Sequence, residues 1–199
     1  MPLINTARGE VWYADARKLD KLPLLLIHGA GATHLDYPGT LRRSDHSTIA
    51  PDLCGHGKSP GEGRTTVRDY ADDMIALLDA LDIERCIVAG HSMGGAITQT
   101  LALEYPDRIA GLIIVASGAK LPVNDAILNG IVEKPEETVA LIVKWAWAKP
   151  LPDETRDLAI SRLLEYPVKT MQQDYAACNE FDVRDRLPDI QAPALIIGG

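Results

Sequence analysis

Basic residues are in short supply. The chain sets 20 Lys and Arg against 28 Asp and Glu, a formal net charge of −8 with histidine counted as neutral. A nucleic-acid or anionic-membrane partner calls for a basic patch or groove, and no such cluster occurs along the sequence. Cysteine is scarce too: Cys54, Cys86 and Cys178 are odd in number, far apart and form no C-x-x-C pair. That argues against a disulfide framework or a zinc knuckle, and for a reduced, cytoplasmic protein. Long apolar runs are missing. Nothing approaches about 18 consecutive apolar residues, and the charged stretch from Met1 to Asp20 lacks the apolar core of a signal peptide, so no membrane span or export signal is expected. Repeats and low-complexity tracts are absent as well. What remains, 199 residues of which 46% are apolar and 24% charged, suits one domain with a sizeable core and room for an insert.

Short apolar runs recur at Leu22–Ile27, Ser47–Ala50, Cys86–Ala89, Leu112–Ala116 and Ala194–Ile197. Runs without polar alternation suit strands covered on both faces, as in a parallel sheet; Glu10–Ala14 alternates and reads as a half-exposed strand. Between the second and third runs, Val67, Tyr70, Ala71, Met74, Ile75, Leu78 and Leu81 follow a Thr66/Asp69 capping pair at helical spacing. Strands alternating with helices predict βαβ crossovers and a doubly wound, mostly parallel α/β sheet. From Leu121 to Asn179 the pattern becomes helical throughout, and strand signals return at Ala194. Residues 1–119 are therefore expected to form the first part of the core, 120–180 a helical cap insert, and 181–199 the return to the sheet. Thr138–Ala148, apolar on nearly every side, predicts a cap helix buried on two faces, with Trp145 and Trp147 either packing the cap or lining a pocket.

The most informative stretch is Ile87–Gly95, Ile-Val-Ala-Gly-His-Ser-Met-Gly-Gly. Its G-x-S-x-G core predicts a strand, a sharp turn and a helix running from Ala96 to Tyr105, with small residues two before and two after Ser92 so that strand and helix can approach closely. Such a turn holds the Ser92 hydroxyl at a helix N-terminus, where backbone N–H groups favour developing negative charge. A glycine-rich turn with a bystander serine would read the same locally, so context decides. The context is His28-Gly29-Ala30-Gly31 at the end of an earlier apolar run. A loop leaving a neighbouring strand can lend one N–H to an oxyanion while the residue after the serine lends another, which makes Ala30 and Met93 the candidate donors; each such donor is worth ~3 kcal/mol of barrier.

Three competing motifs fit less well. Gly29-Ala30-Gly31, with Asp52 about 20 residues on, invites a dinucleotide-binding reading, but His34 occupies the third glycine position. Gly57-Lys58-Ser59 resembles the tail of a phosphate-binding loop, yet its first glycine would have to be Asp52. His28, His34, His46, His56 and His91 show no metal-ligand spacing, so neither a metal nor a cofactor is expected.

Taken together, Leu25, Ile27, His28 and Gly29, the segment Asp52–Ser59, Gly90–Gly95, and Phe181-Asp182-Val183 leading through Leu187 and Ile190 to Pro193–Gly199 resemble the α/β-hydrolase superfamily in its capped, serine-nucleophile branch. The resemblance implies esterase-like hydrolysis of a small-molecule substrate, with Ser92 as nucleophile and no cofactor. It makes Asp52–Ser59 a structural turn, so no catalysis is assigned to Asp52 or His56. In that family an acid and then a histidine complete the triad, and no residue here stands in for them: Ser117, Gly118 and Ala119 occupy the alternative acid position, and His34 is better placed to face a pocket than to act as base. The expectation is therefore a piece of a longer hydrolase, lacking the last strand and its helices and turning over esters poorly by itself. The alternatives are a non-catalytic ligand-binding or regulatory member of the same fold and, less in keeping with the motifs, a dinucleotide-binding oxidoreductase. Oligomeric state is not legible.

Overall fold

The computed structural model describes residues 3–18, 20–42 and 46–198; Gly199, the end of the last matching segment, lies outside them. A hairpin of β1 (Leu3–Thr6) and β2 (Gly9–Ala16) opens the chain, with Thr6 opposite Gly9. Five further strands follow: β3 (Leu24–Ile27), β4 (Thr48–Pro51), β5 (Cys86–His91), β6 (Ile109–Val115) and β7 (Ala194–Ile197). All seven join one sheet in the order β1-β2-β4-β3-β5-β6-β7, antiparallel across β1, β2 and β4 and parallel from β4 to β7. The expected doubly wound, mostly parallel sheet is present. Strand β1 leaves no apolar run in the sequence, because its residues alternate between exposed and half-buried.

The unbroken apolar runs have a direct cause. Leu25, Ile27, Val88 and Leu112 point into a large core beneath α2 (Val67–Ala80) and α3 (Met93–Glu104), while Leu24, Leu26, Ala89 and Ile113 pack on the opposite face with Tyr37 and Leu41. Both faces are covered, so neither can be polar. Leu41 lies in α1 (Gly39–Arg42), a single turn before β4. β7, at the sheet edge, is the exception: Leu195, Ile196 and Ile197 are all exposed.

Helix α3 begins at Met93, three residues before the expected start at Ala96. Gly94 and Gly95 are poor helix formers, which masks the true start in the sequence, but packing leaves no room for a side chain at either position. A methyl group on Gly94 would run into the carbonyl of Ile27, and one on Gly95 would stand 2.5 Å from Ser117 Cβ. Helix propensity yields to close approach.

Four α-helices lie between β6 and β7, α4 (Asp125–Glu133), α5 (Pro135–Trp145), α6 (Asp153–Leu164) and α7 (Val168–Glu180), followed by a 3-10 helix at Arg184–Asp189. The expected helix Thr138–Ala148 is corrected on two counts. It ends at Trp145, and its buried residues, Thr138, Val139 and Val143, form one stripe rather than two. Helix α7 ties this insert to the sheet: Met171 joins a small cluster with Ile131 and Val139, while Ala177 and Cys178 belong to the main core. Among the described residues no helix is long and apolar enough to cross a membrane.

Candidate functional site

The strand order reverses direction at β3, which was laid down before β4 yet sits between β4 and β5. In open α/β sheets the crevice at such a switch point, outside the carboxyl ends of the strands, is where ligands bind. Here Ile27 pairs with Gly90, so the loop after β3 and the turn after β5 leave the sheet side by side.

The turn is sharp. Ser92 has φ 53° and ψ −118°, a backbone conformation that costs a non-glycine residue roughly 1–3 kcal/mol. Its neighbours hold it there: the Ser92 N–H donates to Val115 O at 3.0 Å, the Gly95 N–H donates to Ser92 O at 2.8 Å, and a methyl on Gly90 would collide with the carbonyl of Gly94. Ser92 is half-buried, and among the described residues its hydroxyl has no hydrogen-bond partner. Gly29 packs against it so closely that a methyl there would lie 3.2 Å from Ser92 Cβ. The N–H groups of Ala30 and Met93, on the two segments that meet here, have no acceptor among the described residues.

His28 fixes the first of those segments. Its Nε2 accepts the Leu53 N–H at 3.0 Å and its Nδ1 donates to Gly29 O at 2.8 Å, a pattern only the neutral ring satisfies. Complete burial, reinforced by the nearby His56, holds its pKa well below the usual histidine range. Gly31 follows at φ +60° and donates its N–H to Asp174 Oδ2 at 3.0 Å. The residues after Gly31 form only a short 3-10 turn at His34–Asp36. No helix begins where a dinucleotide fingerprint needs one.

Two further histidines are committed elsewhere. His34, a candidate pocket residue, is buried with Nδ1 and backbone N–H both on Asp52 Oδ1 at 2.8 Å and its ring 4.2 Å from Trp12 of β2. Asp52 also accepts the Lys58 N–H at 3.0 Å, and a methyl on Gly57 would collide with its carboxylate, which gives the Asp52–Ser59 segment its turn. His56 faces two acceptors, Cys54 O at 3.1 Å and Asp174 Oδ2 at 2.7 Å; only the doubly protonated ring satisfies both. Burial opposes that charge, but the hydrogen bond and charge of Asp174 outweigh it and raise the His56 pKa. None of His28, His34, His56 and His91 hydrogen-bonds to Ser92.

Trp145 and Trp147, the other candidate pocket residues, lie at and just beyond the end of α5, 52% and 57% exposed, and neither ring contacts another aromatic among the described residues. A cavity of about 240 Å³ lined by Val67, Arg68, Thr100, Glu104 and Phe181 lies elsewhere, toward the opposite end of α3 from Ser92. At 1.5 Å per residue that end is roughly 16 Å away. Ser117, in the alternative acid position, has a buried hydroxyl with no partner among the described residues. Among the described residues no group of three or more His, Cys, Asp or Glu is arranged to hold a metal ion. Sequence reasoning missed Asp174. The available signal was a carboxylate on the face of α7 otherwise formed by Thr170, Met171, Ala177 and Cys178.

Comparison with known proteins bears on this geometry. A family model described as alpha/beta hydrolase fold matches residues 23–187. The chain is 35% identical over 108 residues to a 2-hydroxymuconate semialdehyde hydrolase of Pseudomonas putida, covering 51% of this chain and 38% of that protein. It is 28% identical over 183 residues to a putative carbamate hydrolase, RutD, of Variovorax paradoxus, covering 85% and 69%. A solved hydrolase from Pseudomonas aeruginosa PA01 superposes with a TM-score of 0.82 at 25% identity, over 100% of this chain and 79% of that one. The chain spans 29% to 38% of the length of the first curated relatives it matches.

Proposed function

Because the chain belongs to the alpha/beta hydrolase fold family, we propose that it carries the nucleophile and oxyanion half of a serine hydrolase acting on a small or medium ester, thioester, lactone or cleavable diketone. The observation that carries this reading is the strained Ser92, its hydroxyl unpaired, beside the two unpaired N–H groups of Ala30 and Met93. In this reading Ser92 Oγ attacks the substrate carbonyl and gives up its proton to a general base. The two N–H groups hold the oxyanion of the tetrahedral intermediate. Collapse of that intermediate expels the alcohol, thiol or carbanion leaving group, which takes up the proton, and water then hydrolyses the acyl-serine to a carboxylic acid and free Ser92. The relatives named above as a semialdehyde hydrolase and a carbamate hydrolase support an activated carbonyl as the point of attack.

His28, His34 and His56 are committed to other partners, so in this reading none of the three is the general base. Helices α4–α7 act as a cap that bounds substrate size, and the three unpaired cysteines fit a cytoplasmic enzyme. The commitment of those histidines also favours one second reading, a non-catalytic member of the fold that binds a carbonyl ligand. Hydrolysis of a p-nitrophenyl ester by the full-length natural protein separates the two. Turnover that falls by about 10⁴-fold or more in Ser92→Ala supports the enzyme; turnover unaffected by that substitution refutes it.

A further inference from the structure

We infer that Asp174, on α7, is a positioning residue for the Ala30 N–H, so that the oxyanion-binding loop keeps its shape only while the helical insert is docked. The inference rests on the reading of Ser92 and Ala30 given above. Ala30 lies between two peptide planes, and each is pinned by a different buried group. The Gly29–Ala30 peptide is held through its carbonyl, which accepts from His28 Nδ1 at 2.8 Å. In a trans peptide C=O and N–H point opposite ways, so fixing that carbonyl aims the Ala30 N–H. The Ala30–Gly31 peptide is held through its N–H, which donates to Asp174 Oδ2 at 3.0 Å. With both planes held, neither backbone dihedral of Ala30 can relax.

Asp174 is itself rigid. It is fully buried, and besides Gly31 it accepts from His56 Nε2 at 2.7 Å and from the Tyr70 hydroxyl at 2.6 Å. His56 and Tyr70 belong to the sheet domain, on the loop after β4 and on α2, so one carboxylate joins three core segments to α7. The insert also presses on the loop sterically: a methyl on Gly31 would lie 3.0 Å from Leu163 Cδ2 of α6 and 3.8 Å from Met171 Cγ of α7. A carboxylate used only to neutralise His56 would not need the Gly31 N–H.

The test compares Asp174→Ala with Asp174→Asn, which keeps an amide oxygen for the Gly31 N–H, in the full-length natural protein. Read by the rate at which a fluorophosphonate labels Ser92, Asp174→Ala should be slower by about tenfold to hundredfold and Asp174→Asn should recover most of that loss. With an ester substrate the loss should appear in kcat and leave KM within about twofold. Amide hydrogen exchange in the unaltered protein supplies a second readout that needs no variant to fold. The Gly31 amide should open together with the amides of α7. Asp174→Ala labelling at the wild-type rate, or Gly31 exchange independent of α7, overturns the inference. Absence of labelling in the unaltered protein would instead count against the Ser92 reading, and the exchange result still decides whether Asp174 couples the insert to the loop.

Discussion

Replacing Ser92 with glycine should make the protein more stable. At φ 53° and ψ −118° the serine backbone is strained by roughly 1–3 kcal/mol, and its hydroxyl has no hydrogen bond among the described residues to lose. Glycine adopts that conformation without steric cost, while its greater freedom in the unfolded chain gives back about 0.5–1 kcal/mol. The difference is a net stabilisation of about 0–2.5 kcal/mol, centred near 1 kcal/mol. For a chain of 199 residues each kcal/mol moves Tm by roughly 2–4 °C, so Ser92→Gly should melt about 2–4 °C higher at the centre of that range and up to about 10 °C higher at its top. Ser92→Ala is the control. It keeps the Cβ, and with it the strain, so its stability should stay within about 0.5 kcal/mol of the parent. Urea and thermal unfolding of the three proteins side by side provide the assay. Ser92→Gly no more stable than Ser92→Ala would show that the turn stores no strain, and the case for a conformation held for function would fall with it.

Three other substitutions probe the supports of the site. Gly94→Ala forces a methyl into the Ile27 carbonyl, a backbone group that cannot rotate away, and should cost about 2 kcal/mol or more in urea unfolding; a change below about 0.5 kcal/mol would mean strand and helix are not in contact there. His28, with its folded pKa pushed down by burial, gains its proton more readily in the unfolded chain. Stability should therefore fall as pH drops below about 6.5, by up to ~1.4 kcal/mol per pH unit. His56, its pKa raised, works the other way, contributing fully below about pH 6.5 and fading as pH climbs through its folded value. Comparing unfolding free energies at about pH 7 and about pH 5.5, His28→Asn should lose part of the acid-side decline; identical slopes would refute the assignment. Asp73 is buried and accepts from Arg8 at 2.6 Å and Arg64 at 2.7 Å, so Asp73→Ala should cost about 1–3 kcal/mol, the lost charge-assisted hydrogen bonds being softened by the solvent that reaches both guanidiniums and by the Asp69 carboxylate that Arg8 keeps at 3.3 Å; a loss under about 0.5 kcal/mol would contradict that cluster.

The sheet was legible where burial left a local mark. β3, β4, β5 and β6 are covered on both faces, and their residues are accordingly apolar apart from Thr48 at the start of β4 and His91 at the end of β5. The errors have equally local causes. Gly94 and Gly95 speak against a helix because propensity reflects the isolated chain, whereas their place in α3 is set by Ile27 and Ser117. In α5, an excess of apolar residues suggested two buried faces, yet Trp145 sits exposed at its C-terminal end. Within the site, Ser92 and its glycines form a contiguous pattern that can be read directly. The Gly31–Asp174 and His56–Asp174 bonds span 143 and 118 residues, and no spacing rule reaches that far. The fate of His34 was hidden for another reason: its partner Asp52, 18 residues on, reads from sequence as a turn residue.

The most direct test of Ser92 as nucleophile is intact-mass and peptide-level analysis of the full-length natural protein after treatment with a fluorophosphonate. One adduct, mapped to the peptide containing Ser92 and lost in Ser92→Ala, is the expected result. No adduct, or one that persists in Ser92→Ala, would contradict the proposed chemistry.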